Sequence, residues 1–307
     1  LITHGKDEAV IFSQLTDGLR IGLSKSRRRR HLLRLQDETQ KNWESVARSL
    51  PLQIIDSTAF QLLEGGPKAR RRFLDWGVFH VEHSFLTAWR DSRKCLANRN
   101  ALLKATRLDR PQLEAWDREF VVASVKVDAQ RGAYLDRFLP VFKEVYAQLE
   151  GSHVDSLEIR YDRGWAEGAN LDAELVRTLE VDRRYGSTQL GPQRADILLL
   201  LDRTPAVEVL SRGQQKILVS ALKIAQGRLL SESLGVECLY LIDDLPSELD
   251  PDNRARVFST LLSLDSQLFV TCVELESLAL ASEGSLFAAL DPSEIAQFHV
   301  EHGRITA

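Results

Sequence analysis

The 307-residue chain is 44% apolar and 27% charged, a balance that excludes wholesale disorder and allows one large or two modest domains with a sizeable core. Its 40 Lys plus Arg against 44 Asp plus Glu leave a net charge of -4, which excludes a uniformly basic nucleic-acid coat but not a local basic patch. Cys95, Cys238 and Cys272 stand too far apart for a zinc site or a disulfide framework and read as reduced thiols.

The longest apolar runs, 195–201 and 238–242, are too short to cross a bilayer, so no membrane contact is expected. No Met occurs, where usage near about 2% gives roughly six. The sequence is therefore expected to lack its natural start and some internal Met residues.

Over the first fifty positions, runs at 8–14, 19–24 and 32–36 mix β-branched and apolar residues with polar ones and predict an antiparallel meander. Another short strand is predicted at 52–55. Gly65, Gly66 and Pro67 punctuate the chain, after which apolar spacing predicts helices over 70–90, 94–104, 111–128 and 133–149, with Pro111 suited to a first turn. Residues 56–149 thus form a candidate helical lobe between an N-terminal part, 1–55, and a C-terminal part, 150–307. Leu157, Ile159 and Tyr161 alternate with Glu158, Arg160 and Asp162, the pattern of a half-buried strand. A helix (171–184), strand (195–201), helix (213–230), strand (237–242), helix (253–263), strand (267–272) and last strand near 296–300 follow. This alternation predicts an α/β fold with a mostly parallel sheet.

The strand at 238–242 ends abruptly in Asp243 and Asp244. Open α/β sheets bind ligands at the carboxyl ends of their strands, where one carboxylate can hold Mg2+ against nucleotide phosphates and a second can polarise a water. An acidic turn after a core strand is the plainer alternative. Ser247-Glu248-Leu249-Asp250 follows directly, and Leu210-Ser211-Arg212-Gly213-Gln214 lies roughly thirty positions upstream, opening a helix with Ile217, Leu218, Ala221, Leu222 and Ala225 on its apolar side. Free N–H groups at a helix start, a hydroxyl at Ser211 and no side chain at Gly213 suit a phosphate. Plain N-capping accounts for Ser211 alone.

Together these segments resemble the ABC-type ATPase heads, with counterparts of the LSxGQ signature, the Walker B strand and the SxLD loop. The run Leu62-Leu63-Glu64-Gly65-Gly66-Pro67-Lys68-Ala69-Arg70-Arg71-Arg72-Phe73-Leu74-Asp75-Trp76 is similar to the motif of the RecF family within that superfamily. So are the second carboxylate at Asp244, Trp89, Arg163-Gly164-Trp165 and Gly191-Pro192-Gln193-Arg194-Ala195-Asp196. The resemblance covers nearly the whole chain and implies an ABC-type head, an α/β lobe of mixed sheets with helices, with an inserted helical lobe. Three departures stand out. The P-loop pattern GxxxxGK[ST] is absent, Ser57-Thr58 replace a usual Pro-Glu, and Gln193 replaces a usual His. The sequence is expected to begin after the P-loop, and as written to bind ATP weakly and hydrolyse it poorly.

What the resemblance implies is a slow, dimer-dependent ATPase of recombinational DNA repair, with ATP and Mg2+ as cofactors. Asp243 would orient Mg2+, and Asp244 would act as base or position the water. Ser211, Arg212, Gly213 and Gln214 would contact the γ-phosphate held by a partner protomer, with Ser247 and Asp250 across that interface. Gln53 is a candidate lid glutamine that senses Mg2+, or a solvated side chain. The implied partners are double-stranded or gapped DNA, a second copy of the chain, and RecO and RecR in loading RecA, in the cytoplasm on the nucleoid. An SMC-type head is the nearest rival, although residues 76–149 are too short and too poorly heptadic for its coiled coils. A non-hydrolysing DNA-binding scaffold is the other.

Two basic clusters are candidate DNA contacts. Arg27, Arg28, Arg29 and Arg30 fall between two predicted strands, as a phosphate-binding turn or a solvated loop. Lys68, Arg70 and Arg71, with Arg72, open the helical lobe, and some of these arginines are expected to bind acidic residues or helix ends inside the protein. Neither cluster is interleaved with aromatics, so duplex contact is expected rather than base stacking. Trp76, Phe79, Phe85 and Trp89 read as helical core, and His80 and His83 lack a third metal ligand.

Overall fold

The computed structural model describes residues 2–150, 154–244, 249–273, 279–280, 284–285, 290–301 and 304–306. The chain divides into two compact units, Leu1–Leu52 and Gln53–Ala307. In the first, β1 (Glu8–Gln14), β2 (Arg20–Ser26), β3 (Leu32–Leu35) and β4 (Glu38–Gln40) form a four-stranded antiparallel meander. The helix α1 (Glu44–Ser49) sets Val46 against Ile21 and Leu33 in a small core. Strand β4 was not expected. It follows a two-residue turn in which Gln36 and Asp37 both take left-handed φ values, 50° and 68°, without the Asn-Gly that normally announces such a hairpin.

The second unit begins within β5 (Leu52–Ile55) and continues through a 3-10 turn capped by Asp56 and α2 (Gln61–Glu64). Three longer helices follow: α3 (Pro67–Val81), α4 (Phe85–Lys104) and α5 (Arg110–Glu150). Helix boundaries differ from the sequence reading in two places. The break expected near 91–93 lies at 82–84, where Glu82 is extended and the chain bends so that both Val81 and Phe85 enter the core. The break expected near 129–132 does not occur, and α5 runs for 41 residues. Arg131 is anchored there by Asp75 and the Pro192 carbonyl, which outweighs the roughly 1 kcal/mol cost of Gly132 in a helix. Tyr134, Phe138, Phe142 and Tyr146 then stack at successive i+4 positions, 5.6–5.8 Å between centroids, as the buried stripe of α5.

Next come β6 (Leu157–Asp162), α6 (Leu171–Arg177), α7 (Leu179–Tyr185), β7 (Asp196–Leu201), β8 (Thr204–Pro205) and α8 (Ala206–Val209). The chain continues through α9 (Arg212–Leu234), β9 (Leu239–Asp243), α10 (Pro251–Leu262) and β10 (Leu268–Thr271), then two short hairpins, Ala279–Leu280 with Gly284–Ser285 and His299–Glu301 with Arg304–Thr306. The expected mostly parallel sheet is corrected. Strand β10 pairs with β9 in parallel, in a sheet of order β10-β9-β5, but β6, β7 and β8 form a separate antiparallel sheet. A parallel β6–β7 pair needs a helix crossing over the sheet. Here α6 instead packs Leu171 and Leu175 against Phe120 and Trp165. Residues 163–195 double back, with Gly191 N–H donating to the Gly164 carbonyl at 3.1 Å.

One core cluster runs from Ile55 through α3, α4 and α5 to β7, α9, β9 and α10. The helices of 56–149 and the α/β elements after them share it, so β5, α9 and β9 are packed against one interior.

Candidate nucleotide and catalytic site

Asp243 is the last residue of β9, where parallel pairing sets it opposite Thr271, the last residue of β10. The Thr271 hydroxyl donates to Asp243 Oδ1 at 2.5 Å and fixes the carboxylate's orientation. Asp244 leaves the strand with φ at +52°, a left-handed conformation that Asp tolerates better than most side chains. Its N–H is held by the Thr271 carbonyl and hydroxyl, each at 3.2 Å. Asp243 is exposed and Asp244 half-buried, so two carboxylates stand at the carboxyl end of a core strand as the sequence predicts. Thr271 was missed, since a Thr ending a strand carries no signal until its neighbour is known.

Those oxygens are hard donors that suit Mg2+. Among the described residues no group of three or more His, Cys, Asp and Glu could hold a metal by itself. Such a partial donor set fits an ion that keeps several waters and takes its remaining oxygens from phosphates.

Ser211 is the N-cap of α9 and forms a capping box with Gln214: Gln214 N–H donates to Ser211 Oγ at 3.3 Å, and Ser211 N–H donates to Gln214 Oε1 at 3.0 Å. The cap uses only a lone pair of Ser211, which leaves its O–H proton available to a phosphate. Gly213 faces open space, with no atom within 4 Å of where a Cβ would lie. The guanidinium of Arg212 is paired with Glu64, just before the Gly65-Gly66-Pro67 segment.

The Tyr240 hydroxyl donates to the Ile224 carbonyl and packs on Gly227, which fixes the level of β9 against α9. From Ile224, Ser211 is thirteen positions, about 20 Å, back along the helix, whereas Asp243 is three positions, about 10 Å, from Tyr240.

Asp250 caps α10, accepting from Asn253 N–H at 3.0 Å and Asn253 Nδ2 at 2.6 Å. The Asn253 N–H holds its carboxyl below the usual Asp value. Ser247 lies outside the described residues. Gln53 is 1% exposed, which removes the solvated alternative, and its Nε2 donates to Gln226 Oε1 at 3.1 Å. Gln226 was missed, although a Gln between Ala225 and Gly227 on an apolar helix face was its available signal. Cys238 is a buried thiol whose pKa burial pushes up to about 12, as expected of an inert residue.

The basic clusters divide. Arg70 forks onto Asp196 at 2.7 and 2.9 Å and donates to the Gly65 carbonyl at 2.7 Å, while Arg71 donates to the Ala195 carbonyl at 2.7 Å. Both face inward, the internal role weighed for this cluster; Lys68 and Arg72 are exposed. In the β2–β3 turn, Arg27 donates to the Lys6 and Ile2 carbonyls and Arg28 lies 3.7 Å from Asp7. Arg29 and Arg30 are exposed and form no ion pair among the described residues. The aromatic residues behave as core: Phe85 is buried, and Trp76, Phe79 and Trp89 pack against the main cluster.

The family model described as the RecF/RecN/SMC N terminal domain matches residues 3–289. The DNA replication and repair protein RecF of Pseudomonas paraeruginosa is 41% identical over 310 residues, covering 100% of this chain and 82% of its own length. That of Chromohalobacter salexigens is 43% identical over 307 residues, covering 99% and 82%.

The chain belongs to the RecF family.

A solved structure of the recombination mediator protein RecF-ATP in the RecFOR pathway superposes with a TM-score of 0.77 at 20% identity, over 90% of this chain and 78% of that one. The likeness establishes the ABC-type α/β head fold. In this member, the RecF-family segments far apart in sequence interlock. Arg70 of the Gly-Gly-Pro segment clamps Asp196 of the Gly-Pro segment. A Cβ on Gly164 would lie 2.3 Å from the Gly191 carbonyl, so the Gly-Trp and Gly-Pro segments touch only because that position is Gly. A concavity of about 650 Å³ between Lys104 and the Arg183–Gly186 segment contains none of these residues.

Proposed function

We propose that this chain is the ATP-driven head of a DNA-repair switch, which closes as a homodimer on duplex or gapped DNA and opens when ATP is hydrolysed. The observations that carry the reading are the two carboxylates at the end of β9 and the open helix start at Ser211 and Gly213, on a chain whose relatives are named DNA replication and repair proteins.

In that arrangement Ser211 Oγ–H and the free first-turn N–H groups, Gly213's among them, donate to the γ-phosphate oxygens of the partner's nucleotide. Asp243, oriented by Thr271, would hold Mg2+, which when bound neutralises phosphate charge. Asp244 orients the attacking water and takes up its proton. Interaction with RecO- and RecR-like partners belongs to the same reading and rests on family membership.

Ser211→Arg places a long cation where the partner's nucleotide must dock. Sedimentation of the complete protein should then show loss of ATP-dependent dimers, with nucleotide affinity of the monomer nearly unchanged. Loss of monomer ATP binding instead would refute the placement across protomers. Exchanging Arg27 to Arg30 for Gln should weaken duplex binding and flatten its salt dependence, by about 0.9 in log-log slope for each phosphate that these arginines neutralise in the parent. Equal slopes for variant and parent would make the turn a bystander.

A further inference from the structure

Helix α4 has an exposed face that the nucleotide chemistry does not use. Arg90, Lys94, Ala97, Ala101 and Lys104 recur at alternating spacings of four and three and are all exposed, so they line one side of the helix over about 21 Å. Cations stand at both ends of this face, and the short alanines between them leave it open to an extended ligand. At its far end Lys104 lies against the C-terminus of α7. Gly186 ends that helix in the left-handed region, at φ +61°, and a Cβ there would stand 3.1 Å from Lys104 Cγ. Lys104, Arg183 and Arg184 thereby share one concavity of about 650 Å³ with Tyr185.

The charge in that concavity is unbalanced. None of its three cations forms an ion pair among the described residues. Asp182, next to Arg183 in sequence, turns inward and is neutralised in the core by Arg99 at 2.7 Å. Among the described lining residues only Glu180 is acidic. Three positive charges against one, on a protein of net charge -4, make a local site for a polyanion. Tyr185 decides which polyanion fits. Its side chain is 68% exposed beside the cations, and Arg183-Arg184-Tyr185 joins a ring directly to basic residues, unlike the arginine clusters at 27–30 and 70–72. A duplex keeps its base faces stacked inside, whereas an unpaired strand offers both phosphates and base faces. An acidic peptide would satisfy the cations but leave the ring unused. We propose that this concavity and the α4 face leading to it form a docking site for single-stranded DNA, with phosphates on Lys104, Arg183 and Arg184 and a base stacked on Tyr185. The choice of DNA rests on the repair reading above, which the site extends: a gapped substrate presents an unpaired strand beside its duplex.

Anisotropy of fluorescent oligo-dT with the complete protein, in rising salt and without nucleotide, tests the site apart from the ATP switch. Tyr185→Ala should weaken binding about tenfold at an unchanged salt slope, the loss of one stacked base, and Tyr185→Phe should keep parental affinity. Joint replacement of Lys104, Arg183 and Arg184 by Gln should reduce the log-log slope by about 0.7 for each phosphate released, roughly 2 in all. Unchanged urea midpoints would show that both variants fold as the parent does. Parental affinity and slope in both variants, or no binding of oligo-dT by the parent, would overturn the proposal and leave the dimer switch standing. Equal weakening of duplex and oligo-dT by the triple variant, with no effect of Tyr185→Ala, would overturn it in favour of a duplex contact. Loss of polyglutamate binding with oligo-dT binding intact would overturn it in favour of an acidic protein partner. If the site variants behave as expected while ATP-dependent dimers fail to form, the switch reading falls and the strand site remains.

Discussion

Asp244→Asn in the complete protein should lower ATP hydrolysis by about 10²–10⁴-fold, the usual contribution of a positioned general base, while ATP binding survives. The substitution removes the proton acceptor but preserves size. It also preserves the left-handed backbone at this position, since Asn tolerates that region as well as Asp does, and the hydrogen bonds from the Asp244 N–H to Thr271. Asp243 and its Thr271 contact are untouched. In the proposed cycle hydrolysis opens the switch, so the variant should accumulate as an ATP-bound dimer that leaves DNA slowly. Turnover in a phosphate-release assay and residence time on labelled duplex measure the two halves of this expectation. Parental hydrolysis, with a monomer at saturating ATP, would remove Asp244 from the mechanism.

The second large effect is on stability. Arg99 of α4 is 0% exposed, with Nε 2.6 Å from Asp117 of α5 and Nη1 2.7 Å from Asp182 of α7 and 2.8 Å from Thr188 Oγ1. Thr188 passes the network on by donating to Asn100 at 2.7 Å. Arg99→Met keeps much of the volume but leaves two buried carboxylates without their cation. A loss of about 3–5 kcal/mol is expected, seen as a lower urea midpoint. Burial raises the Asp117 pKa in the folded protein, with Arg99 opposing it. A carboxyl with a raised folded pKa holds its proton more tightly folded than unfolded, so its contribution falls as pH rises through that window. Removing Arg99 takes away the opposing cation and widens the window. The deficit of Arg99→Met should accordingly be greatest at neutral pH and shrink as acid protonates Asp117. Adding Asp117→Asn and Asp182→Asn should recover part of the loss; a triple variant no more stable than the single one would assign the effect to packing.

Much of the site was legible because its parts are local. The strand that ends in Asp243-Asp244 and the Ser211–Gln214 capping box each occupy fewer than ten consecutive residues, where alternation, helix spacing and capping chemistry can be read directly. The same holds for the meander, apart from the β4 turn that lacks the usual residues. Sheet direction was misread for the opposite reason. Alternating strands and helices predict crossovers only if each helix packs over the sheet, and α6 packs on α5 instead.

The sequence by itself determined the order of the chemical segments, the strand and helix that carry them, and membership of the RecF family, since each depends on neighbouring residues. Only the tertiary structure decided which charges are spent inside the protein and which amide faces which. Arg70 meets Asp196 across 126 positions, and Gln53 meets Gln226 across 173. Such partners leave no periodic trace in the chain. Their pairing is enforced by the cost of burying an unsatisfied polar group, a cost that arises only once the core has closed around them.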